Sequence, residues 1–189
     1  VGLAAIARGA AVSTMTEVAA PSVAPTPEPT NTPAAVAPSA APAFEGRCDA
    51  GSLTTTFEYV DAASGRRFGV ATVTNVGTEA CAVVGLPDLA FGAADRTSVV
   101  PVIEPWGGMT GGGLPGDGVI EGVEEALVML EPGGSATSDL TWRGTAAGAV
   151  TAETVHIAPW AGATRTIVAE PIDLEDGSVV GVSPWMPAP

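Results

Sequence analysis

Lysine is absent from this chain, and histidine, tyrosine and cysteine are nearly so. All seven basic side chains are arginines, set against 21 Asp plus Glu for a formal net charge of −14. The arginines are scattered at Arg8, Arg47, Arg66, Arg67, Arg96, Arg143 and Arg165, with one adjacent pair. A nucleic-acid binder needs clustered cations to displace counterions, so nucleic acid is not an expected partner, nor is an anionic membrane surface. Without lysine, a Walker-type phosphate loop is excluded. One histidine and two cysteines with no C-x-x-C spacing fall short of an ordinary metal-ligand set. Neither a metal nor a cofactor is expected. Aromatics make up 5% of the chain, fewer than a carbohydrate enzyme usually displays as stacking platforms.

Long apolar runs are also missing. Val1 to Val12 is mildly apolar but interrupted by Arg8, and it falls short of the ~20 residues a membrane-spanning helix needs. It reads either as the remnant of a signal or anchor or as an unstructured mature start. No lipid-anchoring cysteine stands near it, and Pro184, Pro187 and Pro189 break any apolar anchor at the other end.

What the chain does have is proline, alanine, glycine and valine. From Pro21 to Pro42 proline alternates with Ala, Thr, Ser and Val, and Glu28 is the one acidic residue. Such a segment buries too little to offset its ordering entropy, and proline stiffens it toward polyproline II. Residues 1–46 are therefore expected to form a disordered stalk or a passive tail. Asn31-Thr32-Pro33 is not an N-glycosylation acceptor. Residues 47–189 have the size of one domain.

In that domain short β-branched runs recur between turn residues. Leu53, Thr55, Phe57 and Tyr59 alternate with Thr54, Thr56 and Glu58, the pattern of a half-buried strand. Ser64-Gly65 turns the chain into Phe68 to Thr74. Further strands are expected at 81–84, 88–91, 97–103, 126–130, 135–142, 155–158, 164–168 and 179–182. Pro87-Asp88, Pro132-Gly133-Gly134, Ala161-Gly162 and Asp176-Gly177 punctuate them, and Glu175-Asp176-Gly177 reads as a hairpin turn. The expectation is an all-β fold, an immunoglobulin-like antiparallel β-sandwich.

The order of its motifs carries a resemblance. Cys48 is followed by an amphipathic strand, then by T-N-V-G-T-E-A-C (Thr74 to Cys81) and G-L-P (Gly85 to Pro87). Later come L-E-P-G-G-S-A (Leu130 to Ala136) and L-T-W (Leu140 to Trp142). This resembles the secreted and membrane-anchored bacterial proteins that carry domain of unknown function 4232, over roughly Arg47 to Pro187. The resemblance implies a sandwich outside the cytoplasm, often tethered through a low-complexity segment, and no known activity. Relatives often carry further cysteines in the second half; here none follows Cys81.

Candidate chemistry is sparse. Cys48 and Cys81 suit a structural disulfide in an exported protein, a metal or redox pair being the alternative. His156 lies in T-V-H-I-A, where alternation sets it opposite Val155 and Ile157 on a solvent face with no nucleophile or carboxylate nearby in sequence. Gly111, Gly113 and Gly116 form a G-x-G-x-x-G, but Pro115 and Asp117 stand where the required helix would start. Asp117, Glu121, Glu124 and Glu125 could offer oxygens to calcium, although a solvated acidic face is the commoner origin of such a run. Trp142 is expected in the core. Trp106 and Trp160 each follow a proline at a strand end, where they would either stand exposed as anchors or pack under the glycine-rich loop.

The candidate binding surface is therefore Trp106, Trp160, Asp117, Glu121 and Glu124, with no catalytic residue. The leading expectation is a monomeric, non-enzymatic module of the cell exterior or envelope that binds a protein, glycan or small ligand. A ligand-free spacer is the alternative, and a hydrolase using the acidic loop the least favoured.

Overall fold

Alternating β-branched sequences form two packed sheets here, described from a computed structural model. It describes residues 44–63, 65–109, 125–144 and 152–189. The Pro/Ala-rich stretch through residue 43, the G-x-G-x-x-G and the acidic residues Asp117, Glu121 and Glu124 lie outside the described residues.

The first hairpin is the longest. β1 (Leu53–Ala63) pairs antiparallel with β2 (Arg66–Asn75), with a register shift between Tyr59 and Asp61. β2 continues onto β8 (Ser135–Arg143), which pairs with β11 (Val179–Val182) and with the short β12 (Met186–Pro187). β6 (Val102–Pro105) closes that sheet and runs parallel to β11. The second sheet has the order β10 (Thr166–Ile172), β9 (Ala152–Ala158), β4 (Asp88–Ala93) and β5 (Ser98–Val99). A separate ribbon joins β3 (Cys81–Val83) to β7 (Val128–Leu130). The all-β, immunoglobulin-like sandwich expected from the sequence is what forms.

Between the sheets lie Phe57, Ala71, Val73, Leu140 and Trp142 from one side and Phe91, Val155 and Ile157 from the other. Gly69 is placed by contact rather than by flexibility. The Phe57 ring lies over it, and a Cβ there would sit 2.5 Å from Phe57 Cζ. Trp142 is 1% exposed, as expected of a core tryptophan, and its indole N–H donates to Asp173 Oδ1 at 3.2 Å. Asp173 also pairs with Arg67 at 2.9 Å.

Three local expectations need correction. The run 97–103 is two strands in different sheets. Pro101 lies between them and lacks the N–H that a continuous ladder would need. The pairing of β11 with β6 is parallel, so the sandwich is not wholly antiparallel. Glu175-Asp176-Gly177 does turn, with Gly177 at φ +74 and Ser178 N–H donating to Glu175 O at 3.1 Å. It joins β10 of one sheet to β11 of the other, however, and so is a crossover, not a hairpin. There Asp176 Oδ1 accepts the Val100 N–H at 2.7 Å, which ties this crossover to the one through Pro101.

Candidate functional site

The chain enters the sandwich beside β3. Ala82 N–H donates to Gly46 O at 2.9 Å, and Cys48 N–H donates to Ala82 O at 3.0 Å, forming a parallel bridge of Arg47 with Ala82. Next to that bridge Cys48 and Cys81 are joined in a disulfide. No free cysteine remains, so neither sulfur is available here as a metal ligand. Closing a loop across a sequence separation of 33 is worth about 3–4 kcal/mol in the chain-entropy model.

Arg47 is fixed from both sides. Its guanidinium carbon lies 4.8 Å from the centre of the Phe44 ring and 4.9 Å from that of Trp160. Stacking of this kind contributes about 0.5–2 kcal/mol depending on desolvation. Trp160 is half-buried, and its other contacts are with the core.

Opposite the entering segment lies the turn that carries the T-N-V-G-T-E-A-C signature. Asn75 is fully buried and fully engaged. Its Nδ2 donates to Glu79 O at 2.8 Å and to Leu130 O at 3.0 Å, while Gly77 N–H donates to its Oδ1 at 2.9 Å. Its backbone N–H donates to Gly134 O, and Gly133 N–H donates to its carbonyl. The Thr74 and Ser135 hydroxyls share a hydrogen bond of 2.8 Å. The T-N-V-G and P-G-G-S motifs are thus two sides of one junction.

Between that turn and the entering segment is a cleft of about 440 Å³, lined among others by Arg47, Asp49, Ser52, Thr78, Glu79 and Cys81. Its two carboxylates come from opposite walls. Ser52 donates its hydroxyl to Asp49 O at 2.7 Å and its carbonyl accepts Val76 N–H at 2.8 Å, which braces the floor. Sequence reasoning did not single out this cleft. The available signal was that Asp49 and Glu79 each lie within two residues of a disulfide cysteine.

Trp106 is elsewhere and is not exposed. It is 2% exposed and lies outside the main core cluster. Its backbone N–H donates to Val182 O at 2.8 Å, and its ring centre lies 6.5 Å from that of Phe68. Phe68 pairs with Thr141, on the face of the sheet opposite Leu140 and Trp142. There Thr141 is 0% and Asp139 7% exposed. The start of the glycine-rich loop is folded down onto this second face. Asp139 Oδ2 accepts Met109 N–H at 2.9 Å, and Gly108, at φ +77, leaves room for that carboxylate. Trp106 and Trp160 therefore do not form one exposed patch, and Trp106 is withdrawn from the candidate surface.

His156 is half-buried between Val155 and Ile157, which face the core. Its Nε2 lies 3.0 Å from Thr154 Oγ1. Trp185, which drew no expectation, is 1% exposed; its indole N–H donates to Pro159 O at 2.8 Å and its backbone N–H to Gly85 O at 3.0 Å. Among the described residues no group of three or more His, Cys, Asp or Glu is arranged to hold a metal, and no helix is long and apolar enough to cross a membrane.

The disulfide, the Asn75 junction and the buried Trp142 give structural roles to the motif residues singled out in the sequence. A family model described as Domain of unknown function (DUF4232) matches residues 48–186. The chain belongs to that family. The match begins at Cys48 and ends at Met186, so it takes in both cysteines, the Asn75 junction and every strand except the last residue of β12. No curated protein and no solved structure matches the chain.

Proposed function

We propose that this DUF4232 domain is a non-enzymatic module of the cell exterior or envelope. It binds a protein, glycan or small ligand through the cleft beside Cys81. The observation that carries this reading is the cleft itself. At about 440 Å³ it is within the size range of small-molecule and cofactor sites. Its walls are pinned by a covalent bond, by the Arg47 stack and by the Asn75 junction, which lowers the entropic cost of ligand capture. The disulfide supports an oxidising compartment. Buried Asn75, Ser138, Thr141 and Ser183 hydrogen-bond to backbone, the role expected of fold-holding polar groups.

A ligand-free spacer is the second reading, and the burial of Trp106 favours it, because the expected aromatic anchor is used for packing. Amide chemical-shift mapping separates the two. Labelled protein is titrated first with solubilised cell-wall glycan and then with envelope protein extract. Binding moves the amides of Asp49, Ser52 and Gly77–Cys81 and leaves those of β9 and β10 in place. An unmoved spectrum in both titrations overturns the binding reading and leaves the spacer.

A further inference from the structure

The two sulfurs of the disulfide are unequally presented. Cys48 is 3% exposed, whereas Cys81 is only half-buried and lines the cleft with Asp49 and Glu79. We infer that Cys81 is the thiol-reactive end of this bridge, and that the cleft admits cationic thiols in preference to anionic ones.

The physical basis is access and charge. Thiol–disulfide exchange needs the attacking thiolate to approach one sulfur along the S–S axis while the other leaves. Cys81 lines the cleft, whereas Cys48 is buried away from it, with its N–H bonded to Ala82 O. In the exchange the incoming thiolate forms a bond to Cys81 Sγ as the Cys48–Cys81 bond breaks. The electron pair departs on the Cys48 sulfur, which takes a proton from solvent. A second thiolate then attacks the mixed disulfide at the reagent's sulfur and releases Cys81. The bridge has gained two electrons, and the two thiols, or one dithiol, have become a disulfide.

Approach to Cys81 is biased by its walls. Arg47 contributes one positive charge and Asp49 and Glu79 two negative ones, so the lining carries a formal −1 on a chain of −14. The Arg47 charge is spread between two aromatic faces. An anionic thiolate is repelled there, and a thiol carrying an ammonium is drawn in. Opening the bridge leaves Gly46–Cys48 joined to Ala82 by two backbone hydrogen bonds and braced by the Arg47 stack.

The test compares cysteamine with glutathione on the full chain, at equal thiolate concentration and low salt. Samples are quenched in acid, and the mixed disulfide is mapped by peptide mass. The expected adduct is on Cys81. The cysteamine-to-glutathione rate ratio should be roughly three- to tenfold higher for the folded protein than for the chain in concentrated urea, and should shrink toward the unfolded value in high salt. Glu79→Gln and Asp49→Asn, both on the open cleft, should each lower the folded ratio without altering the circular dichroism. An adduct on Cys48, or a folded ratio equal to the unfolded one, overturns the inference.

Discussion

Asn75 reaches 55 residues along the chain to hold Leu130. Its Nδ2 donates to the Leu130 carbonyl at 3.0 Å while the same nitrogen holds Glu79 O at 2.8 Å. One carboxamide therefore closes the T-N-V-G turn and docks it on the strand before P-G-G-S. It also sets the wall of the cleft that carries Glu79. Asparagine suits this place because its amide offers two donors and an acceptor at once.

Asn75→Ala leaves the buried Leu130 carbonyl without this donor and should cost about 2–4 kcal/mol. Asn75→Asp keeps the shape but turns a donor toward two carbonyls into a buried anion, so at neutral pH it should cost at least as much. Urea unfolding of both variants checks this. A loss under about 0.5 kcal/mol for either, the range of ordinary surface changes, would remove Asn75 from its central role.

Much of the fold was legible because it is local. Alternation placed β1, the Ser64-Gly65 turn placed β2 after it, and flanking turn residues bounded β8, whose burial is not period-two because both of its faces are covered. Residues 97–103 misled because the apolar run Val99 to Ile103 continues across Pro101; whether Pro101 ends one strand or merely kinks it depends on which sheet lies nearby. The parallel pairing of β6 with β11 joins segments some 77 residues apart and has no local signature. Trp106 was left open for a related reason. Proline before a tryptophan and glycines after it mark a departure from a strand, but not which face the chain then covers. The cleft was illegible although its bridge was expected, because pairing Cys48 with Cys81 does not by itself say that Asp49 and Glu79 line one space.

Gly69 gives a sharp test of the core. Alanine there would place its Cβ 2.5 Å from Phe57 Cζ, so the ring must move within a packed interior. Gly69→Ala should destabilise by about 1–3 kcal/mol, the usual range for overpacking. Shortening the ring in the Gly69→Ala/Phe57→Leu double variant should recover part of that loss. Simple additivity of the two single changes would show that the contact is not the cause.

The β4–β5 turn makes a prediction about pH. Asp95 Oδ1 accepts the Thr97 hydroxyl at 2.6 Å and the Thr97 N–H at 3.0 Å, beside Arg96 at φ +67. The Thr97 hydroxyl, followed by its N–H, holds the Asp95 carboxyl below its ordinary value. A carboxylate depressed in the folded state stabilises fully above its unfolded value, and that contribution is lost as pH falls through the folded value. Carboxyl NMR titration should give Asp95 a lower midpoint in the folded chain than in urea, and Thr97→Val should raise it. An unmoved midpoint in Thr97→Val would show that the hydroxyl is not responsible.

Trp106 decides between packing and display. An exposed anchor could be removed at little cost to stability, whereas a side chain 2% exposed on Phe68 and the second sheet face cannot. Trp106→Ala should cost about 3–5 kcal/mol, in the range for deleting a buried tryptophan. Trp160→Ala should cost less, because Trp160 is only half-buried and its loss leaves Arg47 stacked on Phe44. Asp139→Asn provides the control for the loop start. It keeps an oxygen to accept Met109 N–H, so it should cost less than Asp139→Ala, which leaves that donor without the carboxylate. Thermal unfolding of the four variants, followed by tryptophan emission, orders them. If Trp106→Ala melts with the unaltered protein, the ring is not holding the sheet face, and display by the loop returns as its role.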